Sequence, residues 1–189
     1  QRLTERWMRK DYYRRDLQNA YRDIDRKIFI EERLREPGSP LMEIQVRAAN
    51  GRAILLSLSL DQKTPQEAYA YYDLDGRRLL ELEGSEAYGF LPADFELPDV
   101  YRETIRATEI LSAGMDYARY DFYCVDGKAY AGEITLYPAA GMARADLRAK
   151  VSIDSIISGG WDLRDSHFFK SRSGPAIEFY KRHLRAALD

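Results

Sequence analysis

The 189-residue chain is poor in the residues on which several chemistries depend. It has one cysteine, Cys124, so an internal disulfide framework is excluded and a reducing compartment is the expectation. With only two histidines, His167 and His183, neither a Ser-His-Asp triad nor a zinc centre is expected. A formal net charge of -2 supplies no bulk positive field, so nucleic acid is not an expected partner. The first 35 residues are rich in arginine, but interleaved acids make that stretch read as a solvated helix face. No apolar run approaches the roughly 20 residues that cross a bilayer, and no signal-peptide pattern opens the chain. The expectation is therefore a protein of the cytoplasm with no transmembrane segment.

What is present suffices for one domain over 1–189, since 45% of the residues are hydrophobic. Residues 2–25 read as helix and loop anchored by Trp7, Tyr12, Tyr13 and Tyr21. A short apolar strand, Ile28-Phe29-Ile30, runs into Glu31 and Glu32, and the stretch REPGSP turns the chain. In 42–60, Met42, Ile44, Val46 and Ala48 alternate with polar residues. Asn50-Gly51 supplies a hairpin turn, and Ile54, Leu56, Leu58 and Leu60 alternate back. Residues 68–82 are extended and broken at Asp75-Gly76. Pro98 opens a helix that Gly114 stops. Residues 141–175 read as irregular. The tail is an amphipathic helix with Ile177, Tyr180, Leu184 and Leu188 in one stripe. The sum is an α+β fold, antiparallel hairpins forming a sheet covered by helices.

The hairpin ARYDFYCVDGKAYAGEIT, 118–135, carries two acids, Asp121 and Glu133, inside its strands. Strand interiors seldom hold carboxylates. A two-residue Asp126-Gly127 turn pairs Val125 with Lys128 and sets Asp121 and Glu133 on opposite faces. A three-residue Val125-Asp126-Gly127 loop shifts the register by one and sets Arg119, Asp121, Tyr123, Ala129, Ala131, Glu133 and Thr135 on one face. That register leaves Tyr120, Phe122, Cys124, Tyr130, Ile134 and Leu136 on the other. Because it separates polar from bulky apolar residues, the odd loop is the expectation. Two hard oxygen donors with a neighbouring guanidinium suit Mg²⁺ and phosphate. A surface ion-pair ladder is the competing reading of the same residues.

The segment 118–142 resembles the metal-binding hairpin of the ATP-grasp superfamily. It is closest to the TupA-like branch, associated with teichuronopeptide and surface-polysaccharide biosynthesis. The residues that carry the resemblance are Arg119, Asp121, Tyr123, Gly127, Lys128, Tyr130, Gly132, Glu133 and Thr135. Upstream, Trp7, Asp11-Tyr12-Tyr13 and Lys27 to Leu34 are similar to the branch's approach to its adenine-binding strand. The resemblance spans most of residues 7–142.

It implies the C-terminal portion of an ATP-grasp fold and the cofactors ATP and Mg²⁺. Asp121 and Glu133 would hold the metal, with Thr135 where many relatives place Asn. Arg119 would stabilise the transferred phosphoryl group. Glu31, Glu32 and Leu34 would meet the adenine through the strand-to-loop backbone, and Glu36 the ribose. The upstream subdomain that carries two phosphate-contacting lysines and a glycine-rich loop has no counterpart before Glu31. A further N-terminal segment or a partner is therefore expected to complete the ATP site. The implied reaction is a ligase joining a carboxylate to an amine through an acyl phosphate. Phosphoryl transfer to a glycan and a non-catalytic half-domain binding a partner or glycan are the alternatives. Cys124 reads as a structural thiol and His167 as a possible substrate contact.

Overall fold

The alternation in 42–60 becomes two paired strands, β1 (Met42–Ala49) and β2 (Arg52–Leu60). Asn50 and Gly51 both adopt positive φ, at 50° and 78°, as a two-residue hairpin turn requires. The computed structural model describes residues 2–15, 18–34, 40–62, 64–83, 89–138 and 149–188. Its sheet has six strands in the order β4-β3-β2-β1-β5-β6. The remaining strands are β3 (Ala68–Tyr72), β4 (Gly89–Phe90), β5 (Ala118–Val125) and β6 (Lys128–Thr135). Only β3 and β4 run parallel, so the sheet is mixed and the class is α+β.

One face of the sheet is the core. Ile44, Val46, Leu56, Leu58, Ala70, Tyr72, Tyr120 and Phe122 are buried there in one cluster. Helix α3 (Tyr101–Leu111) covers β1 and β2 with Tyr101, Thr104 and Thr108. Tyr101 also pins the Asp75-Gly76 turn, because its hydroxyl donates to the Asp75 carbonyl at 3.1 Å. Full burial of one such aliphatic side chain contributes roughly 1.5–3 kcal/mol, which makes this face the main source of stability.

The remaining helices are α1 (Arg2–Met8), α2 (Tyr12–Arg15), α4 (Ile153–Gly160), α5 (His167–Lys170) and α6 (Pro175–Leu188). Residues 149–175 are thus more regular than their composition suggests. Ser152 caps α4 by accepting from the Ser155 backbone N–H, a signal present in the sequence and masked by the neighbouring glycines.

Three packing expectations are corrected. Ile28-Phe29-Ile30 forms no strand, and Phe29 and Ile30 are 74% and 97% exposed, because no described strand edge lies alongside to pair with them. Trp7 is exposed, whereas Tyr21 is an anchor: its hydroxyl accepts from the Leu136 backbone N–H at 2.8 Å and its ring packs edge-on against Tyr137. The α6 stripe of Ile177, Tyr180 and Leu188 faces outward. Lys181 is the buried residue of that helix, held by the Ser171 carbonyl, Ser173 and Glu178, so polar capture of one ammonium sets the helix's orientation.

Candidate functional site

The opposite face of the sheet is polar, and three strands supply it in register. Residues paired across a ladder point to the same side. One row is therefore Arg47, Arg119 and Thr135, the next Gln45, Asp121 and Glu133, and the third Glu43, Tyr123 and Tyr130. Asp121 and Glu133 do face one another.

They do so by a device other than the odd loop. The 126–127 turn has two residues, Val125 pairs with Lys128, and Asp126 and Gly127 have φ of 51° and 72°. The ladder then slips: Phe122 pairs with Ala131, Asp121 with Glu133, and Gly132 is left over as a β-bulge. A Cβ on Gly132 would stand 2.9 Å from the Tyr123 ring and 3.2 Å from the Asp121 carbonyl, so the bulge needs glycine. Below the bulge the faces reverse relative to expectation. Tyr130 lies opposite Tyr123 on the polar side, while Ala129 packs on the core. The error lay in assuming one unbroken period of two along β6.

The charges are organised around one tight pair. Arg119 donates to both Asp121 oxygens, from Nε at 2.7 Å and Nη2 at 2.6 Å, with the carboxylate 6% exposed. Burial works against the Arg119 charge, but the bonds to Asp121 outweigh it and raise the guanidinium pKa. Glu133 is exposed on the last strand of the sheet. A hydrogen-bonded chain runs behind this pair. Arg47 donates to Ser57 Oγ at 3.2 Å, Ser57 donates to the Gln45 side-chain oxygen at 3.3 Å, and Gln45 donates to Glu43 at 2.7 Å.

Two cavities open at opposite ends of the rows. The smaller, about 410 Å³, is lined by Glu31, Glu32, Arg33, Leu34, Leu41, Tyr123, Tyr130 and Ala131. Burial raises the Tyr123 pKa, so its phenol is neutral and presents a ring and a hydroxyl donor. The larger, about 820 Å³, lies beyond Arg119 and is bounded by Arg47, Tyr117 and the α4 region. Along β5 the residues facing this side recur every second position, about 7 Å apart. The order is cavity, Tyr123, Asp121, Arg119, cavity.

The donor set fits a divalent cation. Asp121 and Glu133 offer hard oxygens from directly opposed positions, and each Asp121 oxygen keeps a lone pair after binding Arg119. Thr135 adds a buried hydroxyl with no hydrogen-bond partner, in the row next to theirs. Among the described residues no cluster of three or more His, Cys, Asp or Glu forms a complete cage. Two carboxylates completed by water and phosphate oxygens is the usual manner of holding Mg²⁺.

Of the residues expected from sequence, Arg119, Asp121, Glu133 and Thr135 are brought together, and Glu31, Glu32 and Leu34 line the smaller cavity. Glu36 lies outside the described residues. His167 lines the larger cavity, but its ring Nε2 is 2.8 Å from the Gly114 carbonyl and its backbone N–H donates to Asp116 at 2.7 Å. Both groups therefore tie α5 to the β5 entry. Cys124 packs at the margin of the core, where burial pushes its thiol up to about 11. Sequence reasoning missed Arg47 and Tyr117. The signal for Arg47 was its place on the polar side of the 42–49 alternation, which became informative only once β1 was known to adjoin β5.

The sequence model of the TupA-like ATPgrasp family matches residues 1–155, well over half of the chain. No curated protein and no solved structure was found to match it. The family match brings with it ATP and a divalent metal in a ligase-type reaction, and a six-stranded mixed sheet covered by helices is consistent with that fold. Among the described residues no helix is long and apolar enough to cross a membrane. With its motif residues assembled on one polar face between two cavities, the chain belongs to the TupA-like ATP-grasp family.

Proposed function

We propose that this protein is a Mg²⁺-ATP-dependent ligase that activates a carboxylate and joins it to an amine in bacterial surface-polysaccharide biosynthesis, working in the cytoplasm where ATP is supplied. The observation that carries this reading is the bulged register, which sets Glu133 opposite Asp121 with Arg119 one step along the strand. Glu31 to Leu34 and the paired tyrosines 123 and 130 line a cavity where a planar base can rest. Asp121 and Glu133 would hold the metal. A bound Mg²⁺ supplies the Lewis-acid neutralisation that phosphoryl transfer needs.

The chain's own residues do the positioning. Arg119, fixed by its fork to Asp121, faces the transferred phosphoryl group with its remaining N–H groups and takes no proton. The acceptor carboxylate enters from the larger cavity, so its oxygen attacks the γ-phosphorus from the side opposite the leaving ADP. An acyl phosphate forms, and an amine then displaces phosphate from it. No side-chain nucleophile is involved, which agrees with Cys124 remaining a thiol at neutral pH. Thr135 would offer a weaker ligand than the Asn that many relatives place there.

One observation supports a further element of this reading. Ile28, Phe29 and Ile30 are exposed beside the smaller cavity's lining segment. An apolar run of this kind is suited to docking a lysine-bearing segment or partner that closes over the nucleotide. Isothermal titration of the full-length protein with Mg²⁺-ATP tests the proposal. Saturable binding that is lost in both Asp121→Ala and Glu133→Ala is expected. No binding, or binding untouched by both substitutions, would leave the non-catalytic half-domain as the reading.

A further inference from the structure

The guanidinium of Arg47 stands in the same row as that of Arg119, yet their situations differ. Arg119 is neutralised by Asp121. Arg47 has no carboxylate within ion-pair distance among the described residues; it bonds to the Ser57 hydroxyl and shares the cavity lining with Tyr117. Burial lowers its pKa, which means that its charge is held at a cost. A half-buried guanidinium at a cavity wall, with no carboxylate partner, offers its remaining N–H groups to an anionic group.

The rest of that cavity is unlike a sugar site. Most of its wall is apolar, with Leu136, Ile153, Ile157, Trp161, Leu163 and Phe168, and Tyr137, Ser166 and His167 are its other uncharged polar members. Tyr117 and Trp161 stack with ring centroids 5.3 Å apart and planes within 15°, making a flat apolar wall that begins at Arg47. The Trp161 indole N–H is buried with no partner. A sugar acid carries several hydroxyls, and those laid along the apolar part of the wall would lose their hydrogen bonds to water without replacement. The remaining acids limit the charge of an occupant to one. Asp116 is spent on the His167 backbone N–H, and Asp154 is exposed at the margin, where it repels a second anionic group.

We propose that the large cavity binds an amphipathic monocarboxylate, its carboxylate on Arg47 and its apolar or aromatic body along the Tyr117–Trp161 wall. At about 820 Å³ the cavity takes a molecule of ordinary ligand size. That this acid is the acceptor of the phosphoryl group rests on the function proposed above; its binding does not. Arg47 is thereby a specificity residue, beside the phosphoryl-facing Arg119.

Trp161 is one of two tryptophans, and the other, Trp7, is exposed and outside the cavity, so fluorescence of a Trp7→Phe protein reports on the site directly. The probes are 4-phenylbutyrate, its uncharged amide 4-phenylbutyramide, and D-glucuronate, each titrated without nucleotide. The acid should shift Trp161 emission saturably and bind roughly ten-fold tighter than the amide, the scale of one charged hydrogen-bonded contact. Glucuronate should bind weakest. Arg47→Gln should abolish the acid-over-amide preference and leave amide binding unchanged, and Arg47→Lys should retain part of it. Equal binding of acid and amide to the parent protein, no saturable change, or tighter binding of glucuronate would overturn the assignment, and none of these needs the variants to fold. Mg²⁺-ATP titration of the parent protein separates the outcomes: no acid binding with nucleotide binding intact defeats this inference alone.

Discussion

The two long hairpins of the sheet are built alike and put to different uses. β1–β2 and β5–β6 each turn through two residues in the left-handed region, Asn50-Gly51 and Asp126-Gly127, and each slips by one residue shortly afterwards. In the first, the extra residue is Ile54, and it packs against α4: a Cβ on Gly160 would lie 2.8 Å from its Cγ2. In the second, the extra residue is Gly132, which leaves room for the Tyr123 ring and turns Glu133 towards Asp121. A bulge with a large side chain fixes a helix to the sheet; a bulge without one re-aims its neighbours. The same local irregularity serves architecture in the interior hairpin and chemistry at the sheet's edge.

The contrast can be broken most severely at Asp121. Asp121→Ala leaves the Arg119 guanidinium largely buried without its partner, a change that costs about 3 kcal/mol in comparable pairs. Chemical denaturation should show that loss, and Mg²⁺-ATP binding should vanish with it. Next comes the bulge. Gly132→Val collides with Tyr123 and the Asp121 carbonyl, and restoring a regular ladder would instead drive Glu133 to the core face. A destabilisation of about 2 kcal/mol is expected, together with loss of nucleotide binding. Deleting Gly132 should behave oppositely: Ala131 still pairs with Phe122, the next residue still meets Asp121, and binding should persist. If the deletion abolishes binding while the fold survives, the bulge does more than set the register.

The first hairpin offers the control. Gly160→Val crowds Ile54 and should cost about 1 kcal/mol in thermal stability through α4, with Mg²⁺-ATP affinity unchanged. The smallest effect concerns Cys124. Its thiol is pushed up to about 11, against roughly 8.5 in an unfolded chain. Its contribution to stability is full below about 8.5 and is lost as pH rises towards 11, because the unfolded chain then releases its proton first. Alkylation by iodoacetamide should be slow at pH 8 and accelerate steeply above pH 10; rapid labelling at pH 8 would mean that the thiol is not held in the core.

The composition of the site was legible from residue types, and its geometry was not. Arg119, Asp121 and Glu133 stood out because strands seldom hold such residues, and their convergence follows from a demand for segregated faces. How the chain meets that demand depends on a bulge. Gly132 stood in AYAGEIT only as part of the family resemblance, although an isolated glycine inside a strand is a local sign of a bulge. The alternation of Ile44, Val46 and Ala48 identified the core strand. The partner lying beside it was a matter of topology, so Arg47 stayed hidden until β1 was seen next to β5. Composition also misled at Ile28 to Ile30, because an apolar β-branched run is a strand only where an edge exists to receive it.

Glu133 is exposed, so Glu133→Gln removes one charge from the site with little consequence for the fold. Titration of Mn²⁺ into the full-length protein with and without ATP, followed by electron paramagnetic resonance, therefore reads the paired carboxylates alone. The account predicts an ATP-dependent bound Mn²⁺ signal that Mg²⁺ displaces and that Glu133→Gln and Asp121→Asn each abolish. An undiminished signal in Glu133→Gln would contradict it.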